Sequence, residues 1–391
     1  MYADKVMEQV IAWRRDIHSH PELSQHEERT AGIVAGVLES LGLEVTRNVG
    51  GHGVVGLLRG KSEGRTIALR ADMDALPLTE ATGLPFASTN PGVMHACGHD
   101  THTSMLLGAA EILAGMREEL KGNVKFIFQP AEELNPTGGA PGMIRDGVLE
   151  NPHVDGLFAL HVWPAYQTGK IAVRSGSLMA ASDRVFITVK GKSAHGSRPD
   201  QGLDAIVASA HVITGLQSII SRNVSPLDSA VLTIGTIHGG DRYNVIPESV
   251  NLEGTVRTLN PEVQERMPAM ITRIAQGIAE GLGMSCDVKY VKGYPPLVND
   301  SGLAGVAREA VRSRLGEGAL IVPEQPDLTA EDFAFFARER PAVMAWLGCR
   351  PENVKPEDMA MLHNTKFCPD EECFKYGIEY LVGSAIAFLR E

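Results

Sequence analysis

The chain has 391 residues, 43% hydrophobic and 21% charged, the balance of a soluble globular protein long enough for two domains. Its formal net charge of −12 argues against nucleic acid or an anionic membrane surface as the main partner, while leaving room for a local positive pocket. No stretch carries 18 uncharged apolar residues, so no membrane span is expected. The beginning, MYADKVMEQVIAWRRDIHSHPE, is charged and amphipathic without an apolar core segment, which gives no sign of a signal peptide. Five cysteines (Cys97, Cys286, Cys349, Cys368 and Cys373) are odd in number and never spaced as Cys-x-x-Cys, which fits free thiols in a cytoplasmic protein better than a disulfide framework.

Helical periodicity covers residues 4–18 and 27–42, and HGVVGLLRG and RTIALRADMDALP then read as strands. A helix is predicted over 102–117, a buried strand in NVKFIFQPAEE, a helix over 138–149 and a further strand in VDGLFALHVWP. Strands alternating with helices predict an α/β domain with a mostly parallel sheet, in which ligands gather at the carboxyl ends of the strands. Asp72, Asp74, Glu132, Glu133 and His161 all fall at or just past the end of an apolar run.

From about residue 182 the pattern changes. The strand RVFITVKG, a helix over 203–221, the strands SAVLTIGTIHGG and ESVNLEGTVRTL, a helix over 261–282 and the strand CDVKYVKGY follow in turn. This β-α-β-β-α-β order is the ferredoxin-like arrangement. A helix over 301–315, the strand AVMAWLG and a helix over 371–389 resume the first pattern. The expectation is a catalytic domain split into residues 1–181 and 296–391, interrupted by an inserted domain at 182–295.

The stretch MHACGHDTHTSMLLGAA packs metal-philic side chains ahead of a small, apolar helix. Cys97 and His99, one residue apart in a turn, can place two ligands on one ion, although such a pair alone is weak evidence. Glu132 and Glu133 end a strand whose apolar VKFIF makes unpaired charge costly. As neighbours they point in different directions, so one can bind a metal while the other holds a water. His161 in ALHVWP and His363 in MLHNTKF are each ambiguous alone, and His95 and His102 flank the cluster as candidate supports. Taken together, Cys97, His99, Glu133, His161 and His363 exceed the four ligands of a closed zinc site and suit two ions about 3.5–4 Å apart, which leaves Glu132 as a general base.

RADMDALP, MHACGHDTHTSMLLGAA, FIFQPAEE, LHVWP, SAHGSRPDQGLDAI, NVIPE, GTVRT, AEDFAFF and LHNTKF, in this order, resemble the aminoacylase and amidohydrolase branch of the co-catalytic zinc metallopeptidases. The resemblance runs from RRDIHSHPELS to the C-terminal helix. It implies a zinc-aminopeptidase-like catalytic domain interrupted by a ferredoxin-like lid that dimerises. It also implies Cys97 as a thiolate ligand, His99, Glu133, His161 and His363 as the other ligands, Glu132 as the base and Asp74 as the aspartate that orients a ligand. In the lid, His195 resembles a histidine that stabilises an oxyanion, often across a dimer, and Asn244 and Arg257 resemble substrate contacts. Asp200 stands where many relatives have histidine, and Ala330 where glycine is common. EDFAFF, with Glu331 and Asp332, reads as a helix start rather than as part of the site.

The expected function is hydrolysis of an N-acyl amino acid to a carboxylate and a free amino acid by a cytoplasmic enzyme. It would use two divalent metal ions per subunit, zinc first, with manganese, cobalt or nickel as alternatives. A homodimer or higher homo-oligomer through the lid is expected, with no nucleic-acid or membrane partner. A metallo-dipeptidase or carboxypeptidase is the nearest alternative. A cysteine hydrolase with Cys97 as nucleophile leaves Glu133, His161 and His363 without a purpose, and a non-catalytic binding protein has no need of Glu132.

Overall fold

The computed structural model describes residues 1–390. In chain order it contains α1 (Met7–Ser19), α2 (Glu28–Ser40), β1 (Glu44–Val49), β2 (Gly53–Arg59), β3 (Ser62–Asp72), α3 (His99–Gly115), β4 (Lys121–Gln129), α4 (Ala140–Arg145), β5 (Gly156–Gln167), β6 (Ile171–Ala172), β7 (Gly176–Met179), β8 (Asp183–Lys190), β9 (Ala194–His195) and α5 (Ala205–Ser218). Then come β10 (Ala230–His238), β11 (Val245–Ile246), β12 (Ser249–Thr258), α6 (Pro261–Gly281), β13 (Ser285–Val291), β14 (Leu297–Asn299), α7 (Ser301–Leu315), β15 (Leu320–Ile321), α8 (Phe333–Glu339), β16 (Ala342–Arg350) and α9 (Cys373–Arg390). Two compact units emerge: Met1–Gly176, Val298–Gln325 and Asp332–Glu391 form the first, and Ser177–Leu297 with Pro326–Glu331 the second. The short return at Pro326–Glu331 has no counterpart in the sequence pattern, which carries no sign that it joins the second unit.

The first unit holds an eight-stranded sheet in the order β1-β2-β4-β3-β5-β16-β6-β15. Its centre, β4-β3-β5-β16, is parallel, while β1, β2 and β6 add antiparallel pairings, so the sheet is mixed. The central strands are buried on both faces, which explains why Ile67–Asp72 reads as a run without alternation. Helix α3 is buried around almost its whole girth. Gly108 permits this, because a Cβ there would come within 2.6 Å of Val10 in α1 and 3.2 Å of Ile378 in α9. Asp300 caps α7 by accepting from the Leu303 amide at 2.8 Å. The helix expected over 138–149 is only α4, since Gly147 adopts φ +82° and ends it.

The second unit is a four-stranded antiparallel sheet, β10-β12-β8-β13, with α5 and α6 packed on one face. Strand β8 alternates as the pattern requires: Val185, Ile187 and Val189 are buried against Val212 and Leu216 of α5 and Met267 and Ile271 of α6. Asp204 and Asn260 cap the two helices, and the order is ferredoxin-like.

Candidate metal centre

Strand ends and one loop assemble the cluster in the first unit. Gly98, in the left-handed region at φ +86°, turns the chain between Cys97 and His99 and serves as the N-cap of α3. The Glu132–Glu133 turn follows β4 through Ala131, a non-glycine residue at φ +56°. His363 also has positive φ, +63°, and its amide donates to the Ala96 carbonyl at 2.8 Å. His161 lies within β5 rather than at its end, because the strand continues to Gln167.

These segments bring together all five residues read as ligands. Cys97, His99 and His161 form one group, and Cys97, Glu133 and His363 another, with ligand atoms within 4.8 Å of one another in each. Cys97 Sγ lies 3.4 Å from His161 Nε2 and 3.3 Å from His363 Nε2, and Glu133 Oε1 lies 3.1 Å from His363 Nε2. The two groups share the thiol. Glu132 stands beside them, grouped with His99 and Glu133.

Hydrogen bonds at the far ring nitrogens fix what each histidine presents. His99 Nδ1 meets the Asp74 carbonyl at 2.9 Å and its carboxylate at 3.1 Å, and His161 Nδ1 meets the Val162 carbonyl at 2.8 Å. Those acceptors keep the proton on Nδ1 and turn the Nε2 lone pair inward. His102 is different. Its Nε2 accepts from the Val162 amide at 2.9 Å and its Nδ1 faces Asp72 at 2.6 Å, so both nitrogens are spent and it braces the cluster instead of ligating. Asp74 also accepts from the Glu133 amide at 2.9 Å and from Ser24 Oγ at 2.6 Å.

The charge balance fits a cation. His99 Nε2 is buried without a hydrogen-bond partner, an expensive arrangement unless something binds it. Burial disfavours a charged His99, yet Asp72, Asp74 and Glu133 outweigh it and push its pKa up to about 10. Burial, then Glu133, Glu132 and Asp72, raise the Cys97 thiol well above its usual value. Burial and His102 hold His161 well below its own and keep it neutral. Thiolate, imidazole and carboxylate donors together suit zinc and its neighbours in the first transition row.

Asp332 belongs to this site although its sequence context reads as a helix start. Its backbone amide donates to Glu132 Oε1 at 3.3 Å. Its carboxylate accepts from Arg70 and Gln129 at 3.0 and 2.7 Å, and from the Gly139 and Ala140 amides that open α4. No local motif signals this, since the partners lie far away in the chain.

The remaining predicted residues are in the second unit. His195, in β9, is exposed, and its Nδ1 meets Ser197 Oγ at 2.8 Å. The Gly196 amide donates to the Asn244 carbonyl at 2.8 Å, which brings Asn244 beside His195, and Asn244 Oδ1 is buried without a hydrogen-bond partner. Arg257 lies in β12, half-buried, where burial lowers its pKa and Asp183 opposes the shift.

Comparison with known proteins agrees with this architecture. Residues 68–386 match the family model of peptidase family M20/M25/M40. An N-acyl-L-amino acid amidohydrolase from Geobacillus stearothermophilus is 45% identical over 81% of this chain and 86% of its own length. Thermostable carboxypeptidase 1 from Saccharolobus solfataricus is 40% identical over 94% of this chain and 92% of its own. A crystal structure of a dinuclear metal-binding M20 peptidase from Bacillus subtilis superposes with a TM-score of 0.86 at 36% identity, covering 99% of each chain. With its donors grouped around one shared thiol, the chain belongs to peptidase family M20/M25/M40.

Proposed function

We propose that the protein is a metal-dependent amidohydrolase that cleaves N-acyl amino acids to a carboxylate and a free amino acid. The observation that carries this is the pair of donor groups sharing Cys97, with Glu132 beside them. Cys97, His99, Glu133, His161 and His363 would hold two divalent ions, zinc in preference to manganese, cobalt or nickel. Bound there, such ions polarise the scissile carbonyl and lower the pKa of the attacking water.

Glu132 does the proton work. It accepts a proton as the water oxygen bonds to the acyl carbon, then delivers it to the amide nitrogen as the C–N bond breaks. The Asp332 amide at 3.3 Å steadies its carboxylate. Asp74 fixes the orientation of His99 and, through the Glu133 amide, of the acidic turn. His195 is assigned to the developing oxyanion, and Asn244 and Arg257 to the amino acid portion, where a guanidinium suits a free carboxylate. The 182–295 segment is assigned as a lid and dimerisation domain. Strand β10 supports this as an exposed sheet edge, with Ile237 52% exposed. No helix among the described residues is long and apolar enough to cross a membrane, and we assign the enzyme to the cytoplasm.

A panel of N-acetyl, N-benzoyl and N-indoleacetyl amino acids tests the proposal. The enzyme is stripped by chelator, reloaded with zinc, manganese or cobalt, and compared with Glu132→Gln. Metal-dependent cleavage that the variant lacks is the expected result. Cleavage that survives stripping would restore Cys97 as a nucleophile. The 40% identity to a carboxypeptidase gives the second reading its footing. N-blocked dipeptides in the same panel decide between the two.

A further inference from the structure

The segment PELSQHEERT, residues 21–30, has no role in the chemistry above, yet it is tied to the site at several points. The Glu22 carbonyl accepts from the Ala75 amide at 2.8 Å, and Ser24 Oγ donates to Asp74. Glu27 goes further. It occupies the N-cap of α2, where the usual Ser, Thr, Asp or Asn side chain accepts from the first amides of its own helix. Here the Arg29 and Thr30 amides donate to the Glu22 carboxylate instead, at 2.8 Å each. Glu27 is left to reach across 104 positions, where its Oε1 accepts from the Ala131 amide at 2.8 Å.

Ala131 is the left-handed residue that aims Glu132 and Glu133. The same Glu27 oxygen accepts from Gln25 at 3.0 Å, itself at φ +68°. One carboxylate oxygen thus holds two non-glycine residues in a conformation that side chains disfavour. Glu27 is fully buried and its Oε2 has no hydrogen-bond partner, so the side chain is not there for solvent. We infer that Glu27 is a positioning residue for the catalytic turn: its hydrogen bond to Ala131 fixes the direction in which Glu132 and Glu133 face the reacting atoms. The inference rests on Glu132 being the base.

The test compares Glu27→Ala, Glu27→Gln, Glu27→Asp, Glu27→Ala/Ala131→Gly and Glu132→Gln in the full-length enzyme. Three readouts are taken: steady-state kinetics on the best N-acyl amino acid of the panel, zinc affinity by competition with a chromogenic chelator, and melting of the metal-free protein. Displacing a reacting group by about 1 Å can cost about 100-fold, so Glu27→Ala should lower kcat about 10- to 100-fold while KM changes less than about threefold. Its zinc affinity should fall as well, because Glu133 shares the turn. Glu27→Gln keeps the acceptor oxygen and should stay within about threefold of the parent kcat. Glycine at 131 takes the left-handed conformation freely, so the double variant should regain part of the loss.

A role limited to stability would lower the melting temperature and leave kcat per folded site unchanged, and that result would overturn the inference. So would Glu27→Gln as impaired as Glu27→Ala. If Glu27→Ala does not fold, Glu27→Asp decides, because its carboxylate stops one carbon short of Ala131. It must lose kcat where Glu27→Gln does not, and equal rates in the two overturn the inference. If Glu132→Gln keeps full activity, the base assignment fails first. If Glu132→Gln is inactive and Glu27→Ala is unimpaired, only the positioning role fails.

Discussion

Gly98→Ala probes how tightly the fold couples the proposed ligands Cys97 and His99. Gly98 sits between them at φ +86°, and a Cβ there would lie 2.6 Å from Val162 Cγ2 and 3.4 Å from Phe367. Two costs add. Left-handed alanine costs about 1–2 kcal/mol, and overpacking a filled core about 1–3 kcal/mol. Val162 cannot yield alone, since its amide holds His102 and its carbonyl holds His161. Relief must therefore turn two imidazoles or pry Cys97 away from His99. The metal-free protein should lose about 2–5 kcal/mol, and zinc binding should weaken about tenfold for each 1.4 kcal/mol of strain that falls on the ligands. Gly147→Ala is the control: it has φ +82°, and a Cβ there would meet nothing within 4 Å, so it carries only the first cost. Denaturant melts of stripped protein and zinc competition titrations read both variants. The reasoning is refuted if Gly98→Ala melts with Gly147→Ala and binds zinc like the parent.

Lys125, 3% exposed, donates to the Val148, Glu150 and Pro152 carbonyls, and burial lowers its pKa to about 8. The unfolded chain holds that proton up to about pH 10, so it binds more protons than the native state between about pH 8 and 10, and stability rises with pH across that window. In Lys125→Met the rise, at most about 3 kcal/mol, should vanish from melts taken at pH 8 to 10, and an unchanged slope would refute the assignment. Arg257→Met should cut kcat/KM about 10- to 100-fold on N-acyl amino acids and far less on their carboxamides, the worth of a charge-assisted hydrogen bond. Equal losses on both would remove Arg257 from the carboxylate. Cys97 is 7% exposed and burial raises its thiol, so iodoacetamide should modify it at least about tenfold more slowly than free cysteine, and zinc should protect it fully. Fast modification, followed by mass spectrometry, would favour the nucleophile.

What the sequence discloses is local. The Cys-Gly-His turn, the paired glutamates after VKFIF, and the helix over 301–315 are carried by neighbouring residues, and the structure has α7 at Ser301–Leu315. The alternation of β8 likewise announces a one-faced sheet. Relations between distant residues are not disclosed. Glu27 meets Ala131 across 104 positions, and Arg70 meets Asp332 across 262. Asp332 looks like a helix start because it precedes α8, but its side chain does not cap that helix and serves α4 instead. His161 lies within its strand because pairing with β16 carries β5 on past the apolar run to Gln167. Polarity alone marks an end there, and hydrogen bonding to a remote strand overrides it.

Charge gives the deeper reason for the cluster's form. Asp72, Asp74 and Glu132 are buried and Glu133 nearly so, around imidazoles that are neutral by default. Arg70 pairs with Asp72 and Asp332, which leaves the carboxylate of Asp74 to be balanced by other means. Without a further positive charge such a group would not stay ionised in a protein interior. A proton on His99 supplies one, which is why its pKa rises so far. That proton sits on the nitrogen whose lone pair the Asp74 hydrogen bond has turned inward, the place where a cation would bind. The buried carboxylates that seem to burden the fold thus favour positive charge at the point where His99 Nε2 faces inward.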